Sequence, residues 1–355
     1  MPIESFSAQN FRCLSRIELN ADPRHNLIYG ANASGKTSIL EAMAYLGRGK
    51  SFRGASISDL VQHGNREFVL FGRVTDGGRS SSVGVRNSSE GLEVRIDGES
   101  GGGAAALAGA LPLQVIDPDV HGLVAGAPDG RRRYLDWIAF HVEHGYLDAW
   151  RRFRRALKQR NAALRSGAAS TTIRGWNAEF VALAETLDAG RRLALEVATD
   201  GLEEAGSDLL GSEVRFDYRP GWKEGASLLE ALESGLERDV QLGSTQAGPQ
   251  RADLKLIYDE RQARKLVSRG QQKLLACAMV LAAVETAQTA LERPMLLLLD
   301  DPAAELDADS LGGLMRRVNQ LGCQVIATSL EPDLGLFQQK AALFHVEHGE
   351  LRRVK

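Results

Sequence analysis

The chain has 355 residues, of which 43% are hydrophobic and 25% charged, with a formal net charge of −3. Such a composition supports one large core or two of medium size and excludes a disordered tail. The near-neutral balance excludes a general electrostatic pull on nucleic acid, so any such binding has to come from a local basic surface. No apolar run is long enough to span a bilayer, Met295 to Leu299 is strand-sized, and the start "MPIESFSAQN" lacks the basic-then-apolar order of a signal peptide. No membrane contact and a cytoplasmic place of work are therefore expected. Cys13, Cys277 and Cys323 are odd in number and far apart, two of them inside apolar patterns, which fits buried thiols rather than disulfides or zinc ligands.

In chain order, the strand-like runs "HNLIYG", "REFVLFGRV" and "GLEVRIDG" surround one helix that starts after Gly35, and a glycine break follows at Gly101 to Gly103. Gly30 to Thr37 reads "GANASGKT", which fits G-x-x-x-x-G-K-S/T in the required setting, with the strand "HNLIY" before it and the helix "SILEAMAYL" after it. In that pattern Gly30, Ala31, Asn32, Ala33, Ser34 and Gly35 wrap backbone N–H groups around the phosphates of ATP or GTP. Lys36 adds a mobile positive charge, and the Thr37 hydroxyl is a magnesium ligand.

From Arg131 to about Glu237 the periodicity is helical. Between Ala149 and Ala178 there is no Asp or Glu, while Arg151, Arg152, Arg154, Arg155, Lys158, Arg160 and Arg165 crowd the first half. Phe153, Leu157 and Leu164 mark the buried side of the same helix. The stripe is then either a solvated basic face on a core-facing helix or a surface that neutralises several phosphates. Trp137, Trp150 and Trp176 are expected in the core of this lobe.

After the turn-rich "LGSTQAGPQRAD" and the strand "LKLIYDE", the stretch "LVSRGQQKLLACAMV" opens a helix whose Leu274, Cys277, Ala278, Leu281 and Val284 recur at helical spacing. Ser268 as N-cap and Gln271 three residues on complete a capping box. The same N-terminus, with Gly270, also suits an anion. Both readings stand at this point. "MLLLLDD" is a buried parallel strand that delivers two carboxylates to its C-terminal edge: Asp300 to hold magnesium, Asp301 to polarise the attacking water or sense a γ-phosphate. A helix through Val318, the strand "CQVIATS" and a final short strand pair close the chain. There is no internal repeat and no heptad array. The expected fold is α/β, a split P-loop domain over 1–126 and 241–355 with a helical lobe inserted at 127–240.

Gly30 to Thr37, the "SRGQQ" of Ser268 to Gln272, Asp300 with Asp301, and the "AELD" of Ala304 to Asp307 resemble, in order and spacing, the P-loop, signature, Walker B and D-loop motifs of ABC-type ATPase heads. With "NFRCL", "SFRGASISDLVQHG", "GAPDGRRRYLD", "GPQRADL" and "LLLDDPAAELD", nearly the whole chain resembles the RecF family, which is similar to SMC and double-strand-break-repair heads but has no long coiled coil. The resemblance implies an ABC-type P-loop ATPase head with an inserted helical lobe. It implies ATP and Mg2+ as cofactors, and a homodimer that closes on two ATP molecules and on double-stranded DNA near gaps during recombinational repair and replication restart. Hydrolysis would be slow, RecR the partner, and RecO and RecA members of the same pathway. The signature residues Ser268, Gly270 and Gln271 of one subunit would meet the γ-phosphate held by the other subunit's P-loop. Ser38 and Asp307 would border the nucleotide. Arg151, Arg154, Arg155 and Lys158 would meet DNA or a partner.

The chain departs from the family's pattern at Ala33, where glycine is usual, and at Gln250 and Ala252, where His and Asp are usual. Asp301 replaces the Glu of transporter heads, a shorter arm that fits slow hydrolysis, and Thr328 and Ser329 stand where those heads place a switch histidine. Gln114 is the candidate for the glutamine that links magnesium to the helical lobe. A nuclease-fused head of the overcoming-lysogenisation type would need a further acidic metal cluster, which the stretch after "ATSLEPD" does not supply, and Asp301 disfavours a transporter subunit.

Overall fold

The computed structural model describes residues 3–76, 78–332, 334–337 and 340–354. The chain forms two compact units, Met1–Val120 with Glu292–Lys355, and His121–Leu291.

The first unit contains two sheets. In the antiparallel one, β1 (Ser5–Phe11), β2 (Leu14–Asn20), β4 (Glu67–Asp76), β5 (Arg79–Ser88), β6 (Gly91–Ile96) and β7 (Glu99–Ser100) run in the order β2-β1-β4-β5-β6-β7. Its strands alternate as one-sided sheets do: Phe68 and Leu70 are buried while Val69 and Phe71 between and beyond them are exposed. The other sheet holds β3 (His25–Tyr29), β8 (Leu113–Ile116), β12 (Leu296–Leu299), β13 (Gln324–Ser329), β14 (Ala342–Glu347) and β15 (Glu350–Arg353), in the order β15-β14-β3-β13-β12-β8. All neighbours are parallel except β14 and β15. The four leucines of β12 are buried on both faces, as the covered strand of a parallel sheet requires.

Helix α1 (Lys36–Arg48) packs on both sheets, and Ile39, Leu40, Met43 and Leu46 share one core with Phe6, Phe68, Leu298 and Ile326. The short helices α2 (Ile57–Leu60) and α3 (Gly103–Ala110) and the longer α13 (Ala308–Gln320) complete this unit. The register, Val325 beside His25 and Leu299 beside Ala327, brings the segments that follow β3, β13 and β12 to one edge of the parallel sheet. In open α/β sheets that edge is where ligands bind.

The second unit is mostly helical: α4 (Gly122–Ala125), α5 (Pro128–Val142), α6 (Tyr146–Arg165), α7 (Ser170–Gly175), α8 (Asn177–Leu210), α9 (Leu228–Ser234), α10 (Leu236–Leu242), α11 (Ala263–Leu266) and α12 (Arg269–Leu291). A small antiparallel sheet joins them, with β9 (Val214–Arg219), β10 (Asp253–Tyr258) and β11 (Arg261–Gln262) in the order β11-β10-β9. The stretch 241–291, expected with the ATPase head, lies in this unit. The reason is packing: α12 is buried continuously from Lys273 to Val284 and lies on α8 and α5. With 23 residues and a mean hydropathy of 1.7 over its most apolar stretch, α12 is by length and composition the one membrane-capable helix among the described residues. The unbroken apolar run inside α12, Leu274 to Val284, ends at Glu285 and is too short by itself to span a bilayer. In the fold its apolar side chains are covered by α5 and α8.

Candidate nucleotide-binding site

The loop from Gly30 to Gly35 is shaped by close backbone approaches. A Cβ on Gly30 would stand 2.3 Å from the Val346 carbonyl oxygen, so only glycine fits. Gly35, the N-cap of α1, has φ +114°, and Ala33 has φ +63°, a left-handed conformation that a side chain tolerates at a cost of about 1–2 kcal/mol. The Gly349 amide donates to the Ser34 carbonyl at 2.9 Å, tying the β14–β15 turn to the loop. The Ser34 hydroxyl is buried with no hydrogen-bond partner among the described residues. Lys36 Nζ donates to the carbonyl oxygens of Gly30 at 2.7 Å and Ala31 at 2.9 Å, folding back over the loop. Burial pushes the Lys36 pKa down, and Asp301 and Asp300 oppose that.

The ends of β12 and β13 supply the acid side. One oxygen of Asp300 accepts from the Thr37 hydroxyl at 3.0 Å and from the Thr328 hydroxyl at 2.9 Å, and the Asp301 amide donates to the Thr328 oxygen at 2.9 Å. The Asp300 amide donates to the Ile116 carbonyl at 2.8 Å, which fixes its position beside β8. Burial raises the Asp300 pKa while the two hydroxyls pull it down. Asp117, next after β8, is pushed up to about 6 by burial and by the charges of Asp119 and Asp300. A cavity of about 320 Å3 lies between the loop and these acids, lined by Cys13, Asn32, Ala33, Gly35, Lys36, Thr37, Ser38, Arg53, Pro118, Asp300 and Asp301. That is large enough for a small ligand.

The residues fit the groups the sequence implies. Free amides, an orphaned hydroxyl and Lys36 suit phosphates, while a hydroxyl and a carboxylate, both hard oxygen donors, suit magnesium shared with a nucleotide. Among the described residues no group of three His, Cys, Asp or Glu gathers into a self-sufficient metal cage.

Two features of this region are not legible in the sequence. The chain's motifs mark Thr328 only as standing where other heads carry a histidine, yet its hydroxyl bonds both the Asp300 carboxylate and the Asp301 amide. Arg53, from "SFRGAS", reaches the cavity rim. Glu41 organises that rim: fully buried, it accepts from Arg12 at 2.6 and 2.8 Å and from Ser51 at 2.5 Å, with Arg53 3.9 Å away.

The remaining candidates divide. Ser38 lines the cavity. Asp307 is exposed and caps α13, accepting from the Ser310 amide at 2.9 Å. Gln114 sits inside β8, paired with Leu297, and accepts from the half-buried Arg48 at 2.8 Å, so its side chain serves the sheet rather than the edge. In the second unit the capping box is formed, with the Ser268 amide donating to Gln271 at 2.9 Å and the Gln271 amide to the Ser268 hydroxyl at 3.3 Å. A Cβ on Gly270 would meet nothing within 4 Å, so this chain's own packing does not require glycine there.

Arg151, Arg154, Arg155 and Lys158 are exposed on α6, with the Arg154 guanidinium 4.7 Å from the Trp150 ring centre. Arg160 leaves the stripe: it is fully buried, paired with Asp239 at 2.7 Å and bonded to Thr245 at 2.7 Å. Trp137, Trp150 and Trp176 are half-buried rather than core, and the Trp150 indole donates to Asp136 at 3.3 Å.

The family model described as RecF/RecN/SMC N terminal domain matches residues 2–352. The chain is 38% identical over 359 residues to the DNA replication and repair protein RecF of Pseudomonas aeruginosa strain LESB58, covering 99% of this chain and 97% of that one. It is 41% identical to the DNA replication and repair protein RecF of Chromohalobacter salexigens, covering 99% of each. Among solved structures it is similar to a recombination mediator protein RecF with ATP, of the RecFOR pathway, at a TM-score of 0.89, with 22% identity over 100% of this chain and 98% of the other. An Smc head bound to the C-winged helix domain of ScpA matches at a TM-score of 0.62, with 16% identity over 100% of this chain and 97% of the other. These likenesses make the fold an α/β ABC-type ATPase head with helical elaboration.

Proposed function

Since this chain belongs to the RecF family, we propose that it serves DNA replication and repair as an ATP-operated switch on DNA. ATP binds with its phosphates in the loop from Gly30 to Gly35, bordered by Ser38 and by Asp307. Lys36 exchanges the carbonyl oxygens of Gly30 and Ala31 for phosphate oxygens. Thr37 and Asp300 hold magnesium, which supplies positive charge to the phosphate oxygens when bound. Asp301 orients water for a slow hydrolysis. Ser268, Gly270 and Gln271 of a second copy complete the site, the open surroundings of Gly270 leaving room for close approach. Two copies closed in this way hold double-stranded DNA near gaps in the cytoplasm, with Arg151, Arg154, Arg155 and Lys158 on its phosphates. RecR would be the partner, and help in loading RecA the outcome.

The observation that carries this reading is the convergence of the Thr37 and Thr328 hydroxyls on Asp300 beside Lys36, from three separate segments of the chain. Lys36→Met tests it by removing charge at the phosphates while leaving the core alone. The variant should keep its circular dichroism spectrum and lose ATP-dependent retention on duplex DNA. Undiminished retention would overturn the reading.

A further inference from the structure

The outer face of the antiparallel sheet carries an aromatic ring that the fold leaves uncovered. Phe71 on β4 is 40% exposed and Val69 37%. The register sets Phe71 between Ser7 of β1 and Gly84 of β5, and neither neighbour is wide enough to shield a phenyl ring. Strand propensity alone accounts for a Phe at such a position, but the stabilisation that propensity reflects comes from cross-strand packing, which Ser and Gly do not supply.

Two arginines frame the ring. Arg73, two residues along β4, lies between Ser5 and Ser82, and Arg95 on β6 stands opposite Gly84. Both are exposed, and neither side chain has an ion pair or hydrogen bond among the described residues. The neighbouring Arg86 and Arg16, by contrast, are held by Glu67 at 2.6 Å and Glu18 at 2.8 Å. From strand spacing, Arg73 and Arg95 lie roughly 7 and 10 Å from Phe71.

We propose that this sheet face binds single-stranded DNA, with a base stacked on Phe71 and backbone phosphates taken by Arg73 and Arg95. An exposed aromatic on a sheet with free cations beside it is how sheet-built modules hold unstacked bases without reading their sequence. Val69 and Phe71 offer far less apolar area than the roughly 800 Å2 a side of a stable protein interface, and the carboxylates of the same face, Glu18, Glu67 and Glu93, stand against Arg16 and Arg86 rather than against Arg73. The site rests on the reading that this chain works on DNA near gaps, where duplex and single strand meet, and it gives the single-stranded side of that junction a place to bind.

The test is fluorescence anisotropy of the full-length protein with ATP, using labelled oligo(dT) and a blunt duplex, on wild type, Phe71→Ala, Phe71→Trp and the double variant Arg73→Ala/Arg95→Ala. Phe71→Ala should weaken oligo(dT) binding roughly five- to hundredfold, as the loss of one stacked base does. Phe71→Trp should preserve it, the arginine variant should flatten its salt dependence, and duplex binding should stay as in wild type. Equal oligo(dT) affinity in wild type and Phe71→Ala overturns the site, as does wild type that binds duplex but not oligo(dT). Wild type that binds neither DNA, with or without ATP, overturns the switch reading instead.

Discussion

Thr328→Val isolates the hydroxyl that joins the two acids of the candidate site. Thr328 is fully buried in β13, and valine keeps nearly the same shape, so the change is chemical rather than volumetric. The buried Asp300 loses one of its two hydroxyl donors, a bond to a charged group worth about 1.5–3 kcal/mol. The Asp301 amide loses its acceptor, which adds a penalty at the low end of about 1–3 kcal/mol because that amide is only partly buried. A combined loss of about 3 kcal/mol lowers Tm by roughly 6–12 °C for a unit of this size. Thermal unfolding followed by circular dichroism reads it, with Thr328→Ser, which keeps the hydroxyl, as control.

The pH dependence has a defined sign. The folded pKa of Asp300 is raised, so its favourable contribution is complete below the ordinary carboxylate value of 3.8 and is lost as pH rises through the folded pKa. Removing a donor raises the folded pKa further. The deficit of Thr328→Val should therefore be full at neutral pH and shrink as the solution is acidified through that window. A variant with wild-type Tm at neutral pH, or a Thr328→Ser variant that loses as much as Thr328→Val, would refute the reasoning.

Arg160→Met should cost about 3–5 kcal/mol in urea unfolding, because it strands the buried Asp239 carboxylate, whereas Arg155→Ala on the exposed side of the same helix should stay within about 0.5 kcal/mol of wild type. Replacing Arg151, Arg154, Arg155 and Lys158 together with Ala should weaken duplex binding and lower the slope of log affinity against log salt by about 0.9 for each phosphate no longer neutralised. A slope equal to that of wild type would make the stripe a solvated face.

The parts of the site set by neighbouring residues are readable in the sequence. The loop from Gly30 to Thr37 needs only its own glycines and the elements on either side, and the Ser268–Gln271 capping box closes over four residues. What depends on strands meeting is not readable. Thr328 reaches Asp300 only because β13 lies beside β12 in a register that no spacing announces. Glu41 sits in a helix pattern that looks solvent-facing until Arg12, 29 residues earlier, folds onto it. Arg160 falls in a basic run, but helical geometry turns it to the same side as Phe153, Ala156 and Leu164, where Asp239 waits. The placement of α12 with the helices, rather than with the motifs it resembles, follows from an apolar surface that runs all the way round and so needs covering on every side.

The central claim is that two copies share each nucleotide, and complementation between two inactive variants measures it. Lys36→Met disables the P-loop of its own chain. Ser268→Arg fills the N-terminus of α12 with a bulky cation while leaving ATP binding to its own P-loop nearly intact. Mixed heterodimers contain one site with an intact P-loop facing an intact signature helix and one site with both defects. If sites form across the subunit boundary, ATPase activity returns in the mixture in proportion to the heterodimer confirmed by mass. If each chain supplied both halves of its own site, every site would carry one defect, and a mixture as inactive as its components would contradict the account.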